Sequence, residues 1–584
     1  MKGSERSSPI SRLHEELLWM IMLENTEGHD LHRLATARYS SQVCQHWRNL
    51  NLNSSSIWGR LLDIDSLSMR PSWMQEVMAR TGKAPLWITG SISIFSQLQS
   101  PEVLLAFISD HWERIEKLDV SDNLCPEHDP PTEYGSDARK QYWFNLFCRP
   151  APLLKQFNFQ YSATRGNLDG TMDDSDAWQP PSRWFNSSAP SLKTFGVNNS
   201  EVSRLFNASA PPPPSPKFTC WMPSSWLSKL RSFTLCQGCE ASELMALLQM
   251  TPLLEELEIT SFTNSQNYNG RPLDSQNPVC LPRLSVLRLK GWVISDIVGL
   301  LEPIFPSDKC CLSMSEPSDH FRIRIPEMQE ARRAQSIVVR YLQNYCEAHT
   351  IATLSLSSNH NYIQIGEDSV GASGLSIWIP RTADNSWILS ILFNSTTFLS
   401  VTTLHVGSWE GEYRVIYASP VFDSVHTLSI SSRHILESML MYLDEGHHNS
   451  FPRLHTLRLE GHRGKVRVPI RHEYRRLLYQ FLRKRRDISR PVSVLDLSNL
   501  TLTSFRCDFN DFETLVGLSI ILPRTLLAGD RGQESYVCGD GSPNLLCFPQ
   551  RIKDDLVRPR PGRRCHLSRA RRPNLVTYGW SGYI

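Results

Sequence analysis

The sequence predicts an α/β protein in three parts: a small N-terminal helical bundle, a long irregular array of short strands with connecting helices, and a basic tail. Three observations lead to this prediction. Apolar residues recur at helical spacing near the N-terminus. A phrase of the form Leu-x-x-Leu-x-Leu recurs through the middle of the chain. The last part combines low hydrophobicity with many arginines, which predicts disorder.

The composition indicates a largely folded protein with no general attraction to nucleic acid or membranes. The chain has 584 residues, of which 40% are hydrophobic and 21% charged, so we expect several domains or a repeat architecture. Its formal net charge is only +2. No secretory signal or bilayer-spanning run is visible, and the 14 cysteines have no regular spacing. We therefore expect reduced thiols and a cytoplasmic or nuclear location, or both.

The first helix carries more apolar surface than a small bundle can bury. Glu15 and Glu16 lie in its first turn, where the positive end of the helix dipole favours carboxylates. Such a helix needs cover on two sides. One stripe consists of Leu13, Leu17, Met20, Ile21 and Glu24. The remaining circumference includes Leu18, Trp19, Met22 and Leu23.

Further short helices follow within the same fifty or so residues. Asp30 can cap a second helix, and Ser40 or Ser41 a third, in which apolar residues recur at helical spacing. Ser55 or Ser56 then precedes a fourth apolar group. A unit this small is only marginally stable alone, so a partner is the natural source of further burial. The apolar residues of the third and fourth groups are Val43, Trp47, Leu50, Ile57, Trp58, Leu61 and Leu62.

Residues 10–62 resemble the F-box family. The usual F-box pattern is Leu-Pro, Glu-Leu, an Ile one turn later, Asp-Leu, Val-Cys-x-x-Trp-Arg and a final Leu-Trp or Ile-Trp. The matching residues here are Leu13 with His14, Glu16 with Leu17, Ile21, Asp30 with Leu31, Val43 with Cys44, Trp47 with Arg48, and Ile57 with Trp58. His14 replaces the usual proline, which gives the helix a less rigid start.

This resemblance implies that the bundle docks on a Skp1-like adaptor and through it on a cullin scaffold of a ubiquitin ligase. An ordinary helical subdomain packed on the rest of the chain is the alternative. Val43, Trp47 and Trp58 are expected in the core under either interpretation; only the surplus apolar residues of the first helix favour a partner. The expected adaptor-contacting residues are Leu13, Glu16, Leu17, Ile21, Leu31, Val43, Cys44, Trp47, Leu50 and Trp58.

The segment after the bundle begins with a short helix and a strand. Pro71 opens an amphipathic helix that Gly82 can end, and Pro85 to Ile88 then reads as a strand. This order resembles that of many fungal F-box proteins.

The repeated phrase resembles the strand segment of leucine-rich repeats, in which each unit adds one short parallel strand. Its spacing runs from roughly 24 to roughly 67 residues, whereas the regular family repeats about every 20 to 29. We therefore expect an irregular solenoid, or one in which some units are not recognisable from the sequence. An irregular α/β fold is the alternative. Helical returns are expected at Ser242 to Gln249 and at Ser336 to Ala348. The phrases begin at Ile115, Leu154, Leu192, Leu230, Leu254, Leu284, Ile351, Val401, Val425, Leu454 and Val492.

The predicted domain boundaries follow from these patterns. They are a disordered N-terminus over residues 1–9, an F-box-like domain over 10–70, a leucine-rich-repeat-like domain over 71–529 and a basic, disordered tail over 530–584. A basic amphipathic helix is expected from Tyr474, with its cations on a solvated face; a nuclear import signal or an anion contact is the second interpretation.

In a solenoid, the residues that alternate with the buried ones point to the concave face. This candidate substrate face is mixed in charge, so it does not indicate a substrate class. Asp119 and Asp496 lie further out along it. Its members are Glu256, Glu258, Arg288, Lys290, Arg458 and Glu460.

Catalytic, cofactor-binding and metal-binding motifs are not evident in the sequence. The only Cys-x-x-Cys, Cys236 to Cys239, lacks a second ligand pair nearby. Gly366 to Gly374 lacks the Lys-Ser/Thr of a phosphate loop, and His447-His448 has no further ligands at suitable spacing. We therefore expect no catalytic residue, cofactor or metal.

Together, these patterns predict the substrate-recognition subunit of a Skp1-cullin-F-box (SCF-type) ubiquitin ligase, with an unidentified protein as its target. A repeat scaffold without a ligase role is the first alternative. An enzyme with an unrecognised site is the second. A nucleic-acid role for the basic tail would require a steep salt dependence of binding.

Overall fold

The repeated apolar phrases form strands of a large, mostly parallel sheet in a computed structural model of this mixed α/β protein. The chain divides into two compact units, residues 1–401 with 410–421 and residues 402–409 with 422–584. The structure describes residues 13–27, 33–65, 71–93, 101–124, 136–163, 181, 183–199, 224–235, 241–260, 278–290, 298–315, 328–358, 362–367, 375–380, 398–407, 416, 420–460, 472–500, 505, 507–522, 535–541 and 546–548.

The first unit begins with a bundle of four short helices. They are α1 (Glu15–Glu24), α2 (Arg33–Ser40), α3 (Gln45–Asn53) and α4 (Ser55–Gly59). Strand β1 (Leu62–Asp63) follows and pairs in parallel with β2 (Leu86–Ser93). The connecting helix α5 (Pro71–Thr81) ends where Gly82 adopts φ +50°, as the sequence predicts.

Parallel strands continue through the rest of the first unit, with helices between some of them. From β2, the chain of parallel partners runs through β3, β4, β5, β6, β7, β9 and β11. The strands are β3 (Ile115–Leu124), β4 (Gln156–Ala163), β5 (Thr194–Asn199), β6 (Ser232–Leu235), β7 (Glu256–Thr260), β8 (Val279–Leu281), β9 (Val286–Lys290), β10 (Ile304–Pro306) and β11 (Cys311–Met314). The helices are α6 (Pro101–Asp110), α7 (Ser136–Phe147), α8 (Ala241–Gln249), α9 (Val298–Leu301) and α10 (Met328–Ala348).

Three strands at the end of the first unit depart from the parallel pattern. Strands β12 (Thr353–Ser358), β13 (Tyr362–Glu367) and β14 (Ser376–Pro380) pair antiparallel in this order. The phrase beginning at Ile351 therefore lies in a strand that pairs antiparallel with the next one. Gly366 lies within β13, and most of the glycine-rich stretch after it is outside the described residues.

The second unit contains a shorter run of the same kind. Its strands are β15 (Thr403–Val406), β16 (Thr427–Ile430), β17 (Thr456–Leu459), β18 (Val494–Asp496), β19 (Ser519–Ile521) and β20 (Ser535–Val537). The first five pair in parallel, and β20 pairs antiparallel with β19. Its helices are α11 (Arg433–Asp444) and α12 (His472–Asp487).

The repeated phrases supply the core because their apolar positions coincide across neighbouring strands. Leu118, Phe157, Phe195 and Phe233 occupy one register row of β3 to β6 and are all buried. The rings of Phe157 and Phe195 stack with their centroids 5.3 Å apart. Aromatic rings packed this way contribute beyond their buried area. The row aligns the strands, because a slip of one residue would expose it.

Two sequence predictions about the C-terminal part differ from the structure. The folded region extends past residue 529, because β20 lies at 535–537 and Phe548 is buried. The predicted start of the tail at residue 530 is therefore too early, and residues 549–584 lie outside the described part. The cations of α12 also do not all lie on a solvated face: Arg476, Arg483 and Arg486 are exposed. Arg485, by contrast, is buried and donates to the backbone carbonyls of Ser450 and Phe451.

Candidate functional sites

One face of α1 is buried in the bundle while the opposite face is exposed. Leu18 and Met22 are 1% and 4% exposed, whereas Leu17, Met20 and Ile21 are 49%, 58% and 45% exposed. These last three, which we call the α1 apolar face, share a stripe because they lie at i, i+3 and i+4. The helix starts after His14, whose backbone is extended, and Glu15 and Glu16 occupy its first turn as predicted.

The predicted adaptor-contacting residues divide by exposure. Glu16, Leu17, Ile21, Val43 and Cys44 are exposed, Leu13, Trp47 and Leu50 are half-buried, and Trp58 is buried. Leu31 lies outside the described residues, as does the predicted cap Asp30.

Two of these residues correct the sequence interpretation. Val43 is 60% exposed and does not lie in the core, because α3 starts only at Gln45 and leaves Val43 in the preceding turn. Cys44, rather than Ser40 or Ser41, occupies the N-cap position of α3.

Trp58 is covered by its own chain: its indole N–H donates to the Asn51 carbonyl at 2.8 Å, and its ring meets that of Trp73 edge-on.

The bundle is attached to the sheet through α2 and α4. Arg33 on α2 donates to Thr89 Oγ1 of β2 at 2.6 Å. On α4, Gly59 approaches the backbone so closely that a Cβ there would lie 2.3 Å from the Pro85 carbonyl oxygen. Burial lowers the pKa of Arg33, an effect that Asp63 and Asp119 oppose. The bundle is thus held at α2 and α4 while the α1 apolar face stays exposed.

A polar groove of about 640 Å³ lies where the bundle meets the sheet. Arg33, Leu34 and Leu61 of the bundle form part of its wall, and outward-facing residues of β2 to β7 and β9 form its floor. The floor is one register row of the parallel sheet. Its members, in strand order, are Thr89, Asp119, Asn158, Gly196, Thr234 and Glu258.

Charged groups lie at both ends of the groove. Asp63, Asp65 and Asp119 share the bundle end with Arg33 and Lys117. Partial desolvation, with repulsion from Asp63, raises the pKa of Asp65. Desolvation lowers the pKa of Lys117. At the far end, Lys290 pairs with Glu258 at 2.6 Å.

The predicted substrate face divides between the two units. On β7 and β9, Glu258 and Lys290 line the groove, while Arg288 pairs with Glu256 at 3.3 Å. Arg458 and Glu460 lie in the second unit. There Arg458 pairs with Asp496 at 2.8 Å, and Glu460 accepts hydrogen bonds from Ser429 and Asn499.

Sequence reasoning missed most of the uncharged residues of the groove. Asn158, Gln160, Gly196 and Asn198 line it. All four occupy positions that alternate with buried residues of the repeated phrases. That alternation is the signal in the sequence that could have identified them.

Two other motifs of the sequence, Cys236 to Cys239 and most of the glycine-rich stretch from Gly366 to Gly374, lie outside the described ranges. Within those ranges, no three or more His, Cys, Asp and Glu side chains come together in a way that could hold a metal ion. His447 stacks on the ring of Tyr442 at 4.1 Å. Among the helices described, none has the length and apolarity needed to cross a bilayer.

Comparison with known proteins assigns no family to the chain. Neither the models of known protein families nor the curated proteins contain a match to it.

Proposed function

We propose that this chain is the substrate-recognition subunit of an SCF-type ubiquitin ligase. Its F-box-like bundle docks on a Skp1-like adaptor, and its leucine-rich-repeat-like solenoid holds a target protein. The single observation that carries the proposal is the exposure of Leu17, Met20 and Ile21 on a helix whose opposite face is anchored by Leu18 and Met22.

Physical chemistry favours a partner for this face. Three large apolar side chains on one stripe are costly to leave in water, at about 25 cal/mol per Å² of apolar surface. The buried side of α1 fixes the orientation of the helix, so the stripe is presented as a preformed surface. A partner helix or groove with apolar residues would cover it.

The strand array supports the second half of the proposal. Phrases that begin at irregular intervals nevertheless place their apolar residues in common register rows, as in Leu118, Phe157 and Phe195. Parallel strands stacked in register leave an outward face of alternating residues for binding. The receptor then acts by proximity: it makes no bond itself but raises the local concentration of target lysines near a ubiquitin-carrying enzyme.

Adaptor capture tests the proposal. The full chain is co-expressed with a tagged Skp1-like adaptor, and the amount recovered with the adaptor is measured. Leu17→Asp and Ile21→Asp should each reduce recovery at least about tenfold, because each buries a carboxylate in an apolar contact. Leu153→Asp is the matched control, since Leu153 is similarly exposed but lies outside the bundle.

Equal recovery of Leu17→Asp and Leu153→Asp would contradict docking through α1. If the unaltered chain is not recovered with the adaptor either, the result would instead favour a repeat scaffold without a ligase role. That alternative has its own support in the attachment of the bundle to the sheet through Arg33 and Gly59. Under it, the α1 apolar face binds no adaptor.

A further inference from the structure

The floor of the groove between the bundle and the sheet carries many hydrogen-bonding side chains, beside apolar residues such as Leu34 and Leu61. Beside the floor row, a second register row contains Ser91, Ser121, Gln160 and Asn198. Side-chain amides such as those of Gln160 and Asn198 offer one acceptor and two donors each. They can therefore bind both the N–H and the C=O of a peptide group.

The side chain of Asn158 lies close over Gly196 at the centre of the floor. A Cβ on Gly196 would lie only 2.6 Å from Asn158 Oδ1. The glycine therefore leaves room for the Asn158 amide on the floor of the groove. Nearby, Asn198 Oδ1 is buried and receives no hydrogen bond from the described residues. A buried acceptor of this kind favours a ligand that carries an N–H donor.

The length of the groove distinguishes an extended chain from a small molecule. Lining residues extend from Thr89 on β2 to Lys290 on β9, across six strand pairings. Neighbouring strands are about 4.8 Å apart, which gives a length of about 29 Å. An extended peptide rises about 3.4 Å per residue, so about eight residues would span it.

The charges of the groove favour a cationic group at the bundle end. Asp63, Asp65 and Asp119 there outnumber Arg33 and Lys117 by one. Asp63 Oδ1 and Asp65 Oδ2 converge: each lies 3.1 Å from the point that a Cβ on Gly90 would occupy. A lysine or arginine side chain placed there would relieve the repulsion between the two carboxylates. A phosphate would increase it, which argues against nucleic acid.

We propose that this groove binds an extended polypeptide segment of about eight residues, with one lysine or arginine beside Asp63 and Asp65. Asn158, Gln160 and Asn198 hydrogen-bond to its backbone. The inference rests on the proposed receptor function and names its substrate class: targets recognised through an unfolded, basic segment. The segment would lie directly against α2 of the bundle, through Arg33 and Leu34.

Binding of defined peptide pools tests the inference. The full chain is titrated into fluorescein-labelled nonapeptide pools in which one position is fixed as Arg and the others are mixtures of Gly, Ala, Ser and Asn. Matched pools carry Glu at the fixed position. The best Arg pool should bind saturably and about tenfold more tightly than its Glu counterpart. A single-stranded oligonucleotide should bind more weakly than that Arg pool.

Two glutamines on the same face of β4 provide a matched pair of variants. Gln160 lines the groove. The exposed Gln156 lies four residues earlier on β4 and outside the groove. Gln160→Leu should weaken binding of the Arg pool about fivefold, the effect of one or two lost hydrogen bonds. Gln156→Leu should bind like the unaltered chain. Asp65→Asn should remove most of the preference for Arg over Glu.

Several results would overturn the inference. They are the absence of saturable binding by any Arg pool, equal weakening by Gln160→Leu and Gln156→Leu, and tighter binding of the oligonucleotide than of the peptides.

Adaptor capture separates this inference from the proposed function. If the chain is recovered with the adaptor but binds no peptide pool, the groove assignment alone is wrong. If the chain binds an Arg pool but is not recovered with the adaptor, the ligase role is wrong and the groove remains a peptide site.

Discussion

Arg33 of α2 donates a 2.6 Å hydrogen bond to Thr89 Oγ1 of β2 and joins the helical bundle to the first long strand of the sheet. The same guanidinium also lies 3.4 Å from the carbonyl oxygens of Thr26 and Arg60. One side chain therefore connects the end of α1, the end of α4 and the sheet. It also forms part of the groove wall, so the residue that holds the bundle to the sheet also lines the groove.

Arg33→Ala should destabilise the first unit by about 1–3 kcal/mol, because the half-buried acceptors lose a charged donor. Chemical denaturation monitored by tryptophan fluorescence measures the change. Arg38→Ala on the exposed side of the same helix is the control and should stay within about 0.5 kcal/mol of the unaltered chain. Equal stability of the two variants would contradict a joining role for Arg33.

A buried ion pair in the first unit should be sensitive to loss of its carboxylate. Asp122 accepts hydrogen bonds from Arg139 at 2.5 Å and from the Trp143 indole N–H at 2.7 Å, and all three side chains are buried. Asp122→Ala should cost about 3–5 kcal/mol, because it leaves a buried guanidinium without its partner. Asp110→Ala, at an exposed position of α6, should cost little. Thermal unfolding compares the two, and similar melting temperatures would count against the pair.

The stability of the chain should respond to pH through Asp65. Desolvation and repulsion from Asp63 raise the pKa of Asp65 in the folded state above its unfolded value. The folded state therefore binds this proton more tightly, and the contribution of Asp65 to stability decreases as pH rises through its folded pKa. Asp65→Asn should be at least as stable as the unaltered chain at pH 7, because the amide oxygen can still accept from the Ser91 N–H.

This advantage should disappear at low pH, where Asp65 is protonated in both states. Urea denaturation at a series of pH values measures the difference in free energy of unfolding. Asp423→Asn, at an exposed position of the second unit, serves as the reference for a general charge effect. If Asp65→Asn were less stable than the unaltered chain at pH 7 but equally stable at pH 3.5, the sign would be wrong.

Arg485 on α12 should be a stabilising residue rather than a surface cation. It is 1% exposed and donates to the carbonyls of Ser450 at 2.8 Å and Phe451 at 3.0 Å. Burial lowers its pKa to about 10. Arg485→Met should destabilise the second unit by about 1.5–3 kcal/mol, since two carbonyls lose a charged donor. Arg483→Met, at an exposed position of the same helix, should leave the unfolding midpoint unchanged; equal losses would refute the assignment.

Sequence periodicity predicted helices and strands well where local signals were strong. The helix ended by Gly82, the helix at 241–249 and the strand of each repeated phrase all occur close to their expected positions. It predicted burial poorly in the bundle, where Val43 was expected in the core and is exposed. A short helix offers too few turns for periodicity to distinguish a core stripe from a turn residue.

The groove was only partly predictable. Its charged members Glu258 and Lys290 were expected on a binding face, whereas Asn158, Gly196 and Asn198 were not. A glycine or an asparagine in a strand gives no functional signal by itself. Only the alignment of neighbouring strands reveals that Gly196 lies between Asn158 and Thr234.

The sequence by itself determined the surplus of apolar residues on α1 and the apolar phrases that become strands, because both are properties of local spacing. Only the tertiary structure decided which side of α1 is covered, how the polar residues between the phrases line a groove, and that Arg485 of α12 is buried. These outcomes depend on residues that are far apart in the chain, and their burial and pairing are set by the register and packing of whole elements.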